Sequence, residues 1–385
     1  MTVSRLRNIP GIGVDRIGDA ADSLHDADIL RLENLDTDLR PPAEALTATH
    51  AAVDDDAANS YLPFTGQRAL REAAAARVGR SAGTTYDAAG ECIVSAGGLA
   101  GILNVLLAIL EPGDEVVLTD PTYAGLINRV HLAAGVPAFA RLTPSADGWR
   151  LDLDSLAAAI GPRTKALLVM SPSMPSGFVV SRDEWLAIAR HCERHGLWLI
   201  YDAAMERIVF DGREVVHPAA LPGMRERTIT VGAVSKEYRM IGWRVGWIVG
   251  PSSIMDEVRL VSLSNVVCQV GIAMPGAAAA LTAQDDGVAA AVAEWERRRD
   301  FLMDALVDLP VIRPHGGWSM LVDTASLGLA PPEASRRLLE HGKIAATPMT
   351  HWGPNADRYL RLVFSNEAVP RLRDIRERIR RSWQT

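Results

Sequence analysis

The residues best suited to covalent chemistry are few, because lysine is rare in this chain. Lys165, Lys236 and Lys343 are the three lysines among 40 lysines and arginines. Lys236 stands just after an apolar run, from which Ser235 separates it, in the stretch VGAVSKEYRMIGWRVGW. An arginine keeps its proton at working pH, whereas a lysine can become a free amine and attack a carbonyl carbon. We therefore interpret Lys236 as a candidate nucleophile, with a solvated turn residue as the alternative. Lys165 and Lys343 are interpreted as surface residues.

Further candidate groups stand at the ends of predicted strands. In the turn SAGGL, Gly98 and Leu99 open a helix, whose free N–H groups and dipole favour an anion such as phosphate. Tyr123 follows the strand EVVLTD, and Asp202 ends LWLIYD, where its burial requires a cationic partner. Arg244 lies shortly after the lysine. Ligands of open α/β sheets bind at the carboxyl ends of the strands, so these groups predict one site for a phosphorylated, protonatable aromatic ring.

The elements that must position these groups alternate between strand and helix from about residue 90 to residue 250. Short apolar strands separated by amphipathic helices predict a mainly parallel sheet with helices on both faces. The clearest helix signal is SRDEWLAIARHCERHG, in which Ser181 and Glu184 predict a capping box and Gly196 predicts the end.

The regular alternation of strand and helix ends at about residue 275. The sequence beyond it predicts one long helix and two strands, which indicate a smaller α+β unit. We expect residues 46–280 to form a large domain and residues 281–385 to form a small one. Residues 1–45 are expected to pack with the small domain, since neither piece alone contains much core.

Composition limits the classes of protein to which the chain can belong. A net charge of -7 argues against nucleic acid or an anionic membrane as a partner. No apolar run is long enough to span a bilayer, and the first residues lack the apolar core of a signal peptide. The three cysteines, Cys92, Cys192 and Cys268, are far apart and suggest reduced thiols in the cytoplasm, with no metal site.

In these motifs the chain resembles the fold-type I pyridoxal-phosphate (PLP) enzymes of the class I/II aminotransferase family. The most specific segment, SKEYRMIGWRVGW, is similar to the family's Ser-Lys followed by Gly-x-Arg-x-Gly. Other segments match in order over nearly the whole chain: NSYLPFTGQRALREA, SAGGLAGIL, EPGDEVVLTDPTYAGL, TKALLVMSPSMPSG, IYDAAME, HGGWSMLVD and YLRLVFS. The resemblance implies a large PLP-binding domain with a mainly parallel sheet, plus a smaller α+β domain.

The resemblance also implies a role for each candidate residue. Lys236 would form a Schiff base with PLP and move a proton while an amino group passes from an α-amino acid to a 2-oxo acid. Asp202 would pair with the pyridine nitrogen, and Tyr123 would stack on the ring. The remaining implied cofactor-binding residues are Gly98, Leu99, Ser235, Arg244 and, from the neighbouring subunit of a homodimer, Tyr61.

Substrate recognition is implied at three further positions. Arg361 would bind the substrate α-carboxylate by a two-pronged contact, while Asn34 and Trp318 would face the substrate. Each aromatic or basic residue also has a plainer interpretation: Tyr61 as a surface aromatic, Tyr123 as a core ring, and Arg361 as one solvated strand position. An apolar or aromatic substrate side chain is expected, because no second arginine for a distal carboxylate is evident.

Three positions depart from the family pattern. Met174 replaces the usual asparagine and Met205 the usual tyrosine, both donors to the phenolic oxygen of PLP, while Ala233 replaces a frequent phosphate-binding serine. A thioether donates no hydrogen bond. One interpretation is sequence drift within a subfamily, with Ser173, Ser176 or water donating the hydrogen bonds in place of the usual side chains. The other is that the lysine–cofactor imine keeps its proton to higher pH, measurable as the pH at which its visible band shifts.

Two alternative functions remain open from the sequence. The first keeps PLP but changes the reaction to that of a lyase, decarboxylase or amino-acid oxidase, which the two methionines favour. The second is a PLP-binding regulator without turnover. The acidic net charge and the short segment before the first family-like motif argue against that second alternative.

Overall fold

A computed structural model describes residue 3 and residues 6–384. The first elements are α1 (Val14–Ser23), β1 (Leu30–Arg31), α2 (Ala43–Val53) and α3 (Arg68–Ala82). The central region contains β2 (Cys92–Ser95), α4 (Gly98–Ile109), β3 (Glu115–Asp120), α5 (Ala124–Leu132), β4 (Val136–Ser145), β5 (Gly148–Leu151), α6 (Leu153–Ala159), β6 (Thr164–Met170), α7 (Arg182–His195), β7 (Trp198–Asp202), β8 (Thr228–Ala233), β9 (Gly246–Val249), α8 (Ser252–Asn265) and α9 (Met274–Thr282). The last elements are α10 (Val288–Ala305), β10 (Val311–Ile312), β11 (Ser319–Asp323), α11 (Pro331–Arg337), β12 (Ile344–Ala345), β13 (Thr347–Pro348), β14 (Tyr359–Val363), α12 (Val369–Leu372) and α13 (Ile375–Gln384).

The central sheet has eight strands in the order β2-β9-β8-β7-β6-β3-β4-β5. Strands β4, β3, β6, β7 and β8 are parallel, whereas β9 and β5 run antiparallel to their neighbours. The predicted fold class, a mainly parallel sheet with a smaller α+β part, is therefore confirmed. The parallel arrangement brings the carboxyl ends of β3, β6, β7 and β8 to one edge.

Apolar residues cover both faces of this sheet, as its uninterrupted apolar strands predict. Val116 and Leu118 of β3 join a cluster with α4, α5 and α8, while Val117 points to the opposite cluster with α7. Helix α7 begins with the predicted capping box, in which Ser181 and Glu184 bond each other's backbone N–H groups. Its end at Gly196, in the left-handed conformation, also agrees with the prediction.

The C-terminal part forms a second sheet, with four antiparallel strands in the order β10-β11-β14-β13. Strand β1 pairs in parallel with β12, with Leu30 opposite Ile344, so the N-terminal segment is joined to the C-terminal part. The boundaries at residues 45 and 280 stay a prediction. Among the described residues, no helix is long and apolar enough to cross a membrane.

A substitution at Gly246 would test the close packing of the strand ends. It lies between Ser95 of β2 and Ala233 of β8, and a Cβ there would approach backbone atoms of Gly232 and Gly97 within 2.7 Å. Because backbone cannot move aside cheaply, we expect Gly246→Ala to lower the free energy of unfolding by about 1–3 kcal/mol. Thermal unfolding of the cofactor-free protein measures the effect.

The matched control is Gly250→Ala, four residues further on, where the added Cβ would make ordinary contacts of 3.4–3.6 Å with Ile229. An equal loss of stability in the two variants would contradict the packing argument.

Candidate active site

A cavity of about 790 Å³ opens at the carboxyl ends of β3, β6, β7 and β8. Helix α1 and the segment after β1 form its outer wall, and β14 of the second sheet contributes one side. The structure brings nine of the predicted site residues to this cavity: Asn34, Gly98, Leu99, Tyr123, Asp202, Ser235, Lys236, Arg244 and Arg361. These residues line one cavity although they come from segments more than 300 residues apart in the sequence.

Lys236 is half-buried just beyond the end of β8. Its Nζ donates a hydrogen bond to the Leu35 carbonyl (2.8 Å) and lies 4.8 Å from the centre of the Trp318 ring. Burial lowers the pKa of Lys236 to about 7, against the weaker opposing effect of the Asp36 carboxylate. A large fraction of the amine is therefore unprotonated at neutral pH, as a nucleophile requires. Lys165 and Lys343, by contrast, are exposed, as predicted.

Asp202 contributes a buried carboxylate to the site and is 5% exposed at the end of β7. The Ala204 N–H donates to its Oδ1 (3.1 Å), and Asp202 forms no ion pair with any described residue. Burial raises the pKa of Asp202 to about 6, although Arg129 and Lys236 act in the opposite direction. A cationic group beside this carboxylate would offset the cost of its burial.

The opposite end of the cavity is suited to an anion. Helix α4 begins at Gly98 without a side-chain cap, so its first N–H groups are available to a ligand. Gly97 has a φ of 83°, and a Cβ there would lie 2.8 Å from Nη2 of Arg244. The Arg244 Nη1 donates to Ser235 Oγ (3.3 Å) and to the Ile241 carbonyl (2.8 Å). A glycine, a helix start and a guanidinium thus converge where a phosphate group would bind.

Arg361 provides the second cationic end of the cavity from strand β14. It is 1% exposed, and its guanidinium donates to the Glu33 carbonyl and contacts Met174 Sδ (3.5 Å). Burial lowers the pKa of Arg361 to about 10, so the group is still charged at neutral pH. Its Nε is buried and has no hydrogen-bond partner among the described residues, which leaves a donor for a carboxylate.

Trp352 is a contributor that the sequence reasoning missed. Its buried ring lies 5.3 Å from the Tyr123 ring and 4.9 Å from the Arg361 guanidinium. Its Nε1 donates to the Ile12 carbonyl (3.1 Å). One side chain therefore contacts the Tyr123 ring, the Arg361 guanidinium and the N-terminal segment. No sequence pattern around residue 352 indicates these contacts.

Arg129 was also missed, although it sits on α5 directly behind the strand ends. Its Nε donates to the Leu99 carbonyl and its Nη1 to the Gly125 carbonyl, both at 2.8 Å. The guanidinium thereby ties α5 to the start of α4. Burial lowers its pKa from the ordinary value.

Two predicted residues lie outside the cavity lining. Trp318 is 1% exposed, packs on Trp295 and reaches the site only through its contact with Lys236. Tyr61 is 82% exposed, on the surface between α2 and α3. Their predicted contacts with substrate and with a neighbouring subunit stay predictions.

Of the three positions that depart from the family pattern, two line the cavity and one does not. Met174 and Ala233 line the cavity, whereas Met205 is fully buried and does not. Ser173, one possible substitute donor, is buried and its Oγ has no partner among the described residues. Of the two methionines that replace family donors, only Met174 therefore lines the cavity, together with Met170 at the end of β6.

Comparison with known proteins agrees with this geometry. The family model described as aminotransferase class I and II matches residues 29–379. The chain belongs to the class I and II aminotransferase family. It is therefore a PLP-dependent aminotransferase, and the expectation drawn from its motifs is confirmed.

Individual members of the aminotransferase family resemble the chain along most of its length. It is 34% identical to an arginine–pyruvate transaminase of Pseudomonas aeruginosa over 359 residues, which cover 92% of this chain and 89% of the relative. It is likewise 34% identical to an aspartate/prephenate aminotransferase of Thermus thermophilus, over 75% of each chain. The solved structure of N-succinyldiaminopimelate aminotransferase from Mycobacterium tuberculosis superposes with a TM-score of 0.90, at 31% identity and full coverage of both chains.

The residues present fit the aminotransferase cofactor. The Gly97 turn, the uncapped start of α4 and Arg244 suit its phosphate, and the buried Asp202 suits its protonated ring nitrogen. Lys236, with its lowered pKa, suits the covalent bond to its aldehyde. Among the described residues, no cluster of side chains could hold a metal ion.

The lowered pKa of Lys236 predicts how PLP attachment depends on pH. The rate at which cofactor-free protein takes up PLP should rise from pH 6 and level off above about pH 8, because the amine loses its proton near pH 7. Visible absorbance follows the attachment. An Nα-acetyl-lysine reaction run in parallel corrects for the ionisation of PLP itself. A protein rate that keeps rising to about pH 10, as for an ordinary lysine, would contradict the assignment.

Proposed function

We propose that this aminotransferase binds PLP through Lys236 and exchanges the amino group of an α-amino acid for the carbonyl oxygen of a 2-oxo acid. The observation that carries the proposal is the single half-buried lysine at the carboxyl end of β8, in the same cavity as Asp202 and Arg361. A nucleophile, a partner for a ring nitrogen and a carboxylate-binding group are thereby available to one ligand.

When bound, PLP supplies an aldehyde that accepts the amino group and a ring that withdraws electrons from the substrate α-carbon. Lys236 holds the cofactor at rest and, once released from it, moves a proton to and from the substrate α-carbon through its Nζ. The pKa of about 7 suits this work, since a base is most effective when its pKa is near the operating pH.

Arg361 and Asp202 orient the two ends of the reacting assembly. The free Nε and the terminal nitrogens of Arg361 favour a two-pronged contact with the substrate α-carboxylate, while Trp352 keeps the guanidinium in place. Asp202 holds the proton of the ring nitrogen, which preserves the electron-withdrawing character of the ring. The Leu35 carbonyl accepts a hydrogen bond from the lysine, and the adjacent Asn34 lines the same cavity.

The comparisons do not favour the other PLP reactions considered from the sequence. The relatives named above are transaminases or aminotransferases, although their amino acids differ. Met174 faces the cavity in this chain, yet the family match extends over both domains. Amino-group transfer is accordingly the function that the site supports best.

An amino-donor screen tests the proposed reaction. PLP-loaded protein mixed with α-amino acids should lose its visible band and release the matching 2-oxo acid, and an added 2-oxo acid should restore the band. Lys236→Ala should abolish both the band and the exchange, whereas Lys165→Ala, at an exposed lysine, should keep them. Release of ammonia or carbon dioxide, or uptake of oxygen, in place of exchange would contradict the proposal.

We further propose a homodimer in which each subunit completes the other's phosphate site through Tyr61. Tyr61 is 82% exposed, and several exposed apolar side chains occur nearby in sequence or along α8 and the segment after it: Phe64, Leu260, Leu263, Val266, Val267 and Val270. Exposed apolar groups of this number favour burial against a second chain. The exposure of Tyr61 leaves its hydroxyl free to reach the phosphate site of a second subunit.

Mixed dimers test whether Tyr61 acts across the interface. Tyr61→Phe should weaken PLP binding by about tenfold or more, through loss of one hydrogen bond to a charged group. A Lys236→Ala subunit paired with a Tyr61→Phe subunit should regain one native site, because the two wild-type residues meet in the same cavity. The two parent dimers serve as controls. Mixed dimers that bind PLP no better than the Tyr61→Phe parent would contradict the arrangement.

We also propose that the protein works in the cytoplasm. Its three cysteines are free thiols, with Cys92 and Cys192 buried. Unpaired thiols are typical of proteins in a reducing compartment.

A further inference from the structure

Helix α1 presents an acidic face to the outer part of the cavity. Asp15, Gly18, Asp19 and Asp22 all line the cavity, and their spacing of i, i+3, i+4 and i+7 places them on one side of the helix. Neither Asp15 nor Asp19 has an ion-pair or hydrogen-bond partner among the described residues. Two uncompensated carboxylates therefore stand at the mouth of the active site.

Arg31, the nearby basic residue, is already neutralised. Its guanidinium pairs with Asp22 Oδ1 (2.6 Å) and with Glu33 Oε1 (2.7 Å). Two carboxylates thus share one cation, and Arg31 is not free to bind a distal carboxylate of a substrate. The expectation of an apolar substrate side chain rested on the absence of such an arginine, and it overlooked these acidic residues.

Glu33 gives a second and independent indication of a cationic ligand. The residue lines the cavity and is fully buried, yet its Oε2 accepts no hydrogen bond from any described residue. A buried carboxylate oxygen without a donor is costly, so a ligand that donates to it would bind favourably. Gly18 lies beside this group on the cavity lining, and a Cβ built there would make only ordinary contacts, 3.7 Å from Arg31 Nη2 and 3.8 Å from Glu33 Oε1.

The positive residues of the cavity lie elsewhere and have other partners. Arg244 and Lys236 are proposed to bind the cofactor, and Arg361 the substrate α-carboxylate. Apart from those positions and Asp202, the lining holds four carboxylates and one arginine, so the outer part has an excess of negative charge.

We propose that the cavity selects α-amino acids whose side chain ends in a cation, a guanidinium or an ammonium group, bound by an acidic wall formed by Asp15, Asp19 and Glu33. The proposal rests on the proposed function, because it takes Arg361 as the site of the α-carboxylate. Charged hydrogen bonds from the side chain would satisfy Glu33 Oε2, and acidic side chains would be repelled.

Matched amino donors test this selectivity on the PLP-loaded protein. Arginine and citrulline have nearly the same shape, but citrulline carries a neutral urea in place of the guanidinium. The kcat/KM for arginine should exceed that for citrulline by about tenfold or more, and aspartate should be a poor donor. The preference should shrink as salt is raised, because Asp15 and Asp19 are exposed.

Variants assign the preference to particular carboxylates. Asp15→Asn combined with Asp19→Asn should reduce the arginine-to-citrulline ratio about three- to tenfold, whereas Asp304→Asn, at an exposed helical aspartate outside the cavity lining, should leave it unchanged. Binding of δ-guanidinovalerate and of hexanoate, which lack the amino group and cannot react, gives a readout independent of turnover. The guanidino acid should bind more tightly, and the double variant should reduce the difference.

The outcomes separate this inference from the proposed function. Exchange with neutral amino acids at rates equal to arginine, or an unchanged ratio in the double variant, would overturn the acidic-wall assignment and leave aminotransfer intact. Failure of every amino acid to change the cofactor band, with both non-reacting acids bound equally, would overturn the two together.

Discussion

The cost of burying charge governs the architecture of this site. Asp202 and Arg361 are buried and Lys236 is half-buried in one cavity, and burial shifts the pKa of each in the direction that favours its neutral form. No two of them form an ion pair with each other. Each charge is consequently left for a ligand with the matching group, and PLP together with an amino-acid carboxylate supplies all three matches.

The fold maintains this arrangement by bringing segments that are distant in sequence to the carboxyl-terminal edge of the central sheet. Parallel strands β3, β6, β7 and β8 deliver Tyr123, Met170, Asp202 and Ala233 side by side, and Gly246 allows the turn before α4 to approach them closely. The second sheet contributes Arg361, and the pairing of β1 with β12 brings the outer acidic wall across the opening. The groups proposed to bind the cofactor thus lie at the edge of the large sheet, while those proposed to recognise the substrate come from segments near the chain ends.

Sequence reasoning succeeded where chemistry is local to a strand end. Lys236 stands just after an apolar run and Asp202 ends one, and parallel strands place such positions on the same edge. The capping box of α7 could also be predicted, because its hydrogen bonds join residues only three positions apart in the sequence. Trp352 and Arg31 were not predictable, because their roles depend on docking between segments far apart in sequence. The spacing of Asp15, Asp19 and Asp22 on one helix face was visible, but the cavity that it faces was not.

The central claim is that one lysine holds the cofactor, and the scarcity of lysine makes its test direct. The PLP-loaded protein is reduced with borohydride, digested with protease and mapped by mass spectrometry across Lys165, Lys236 and Lys343. We expect the phosphopyridoxyl group on Lys236 alone, at a yield matching the visible band before reduction. Its attachment to either exposed lysine, with Lys236 unmodified, would contradict the assignment of Lys236.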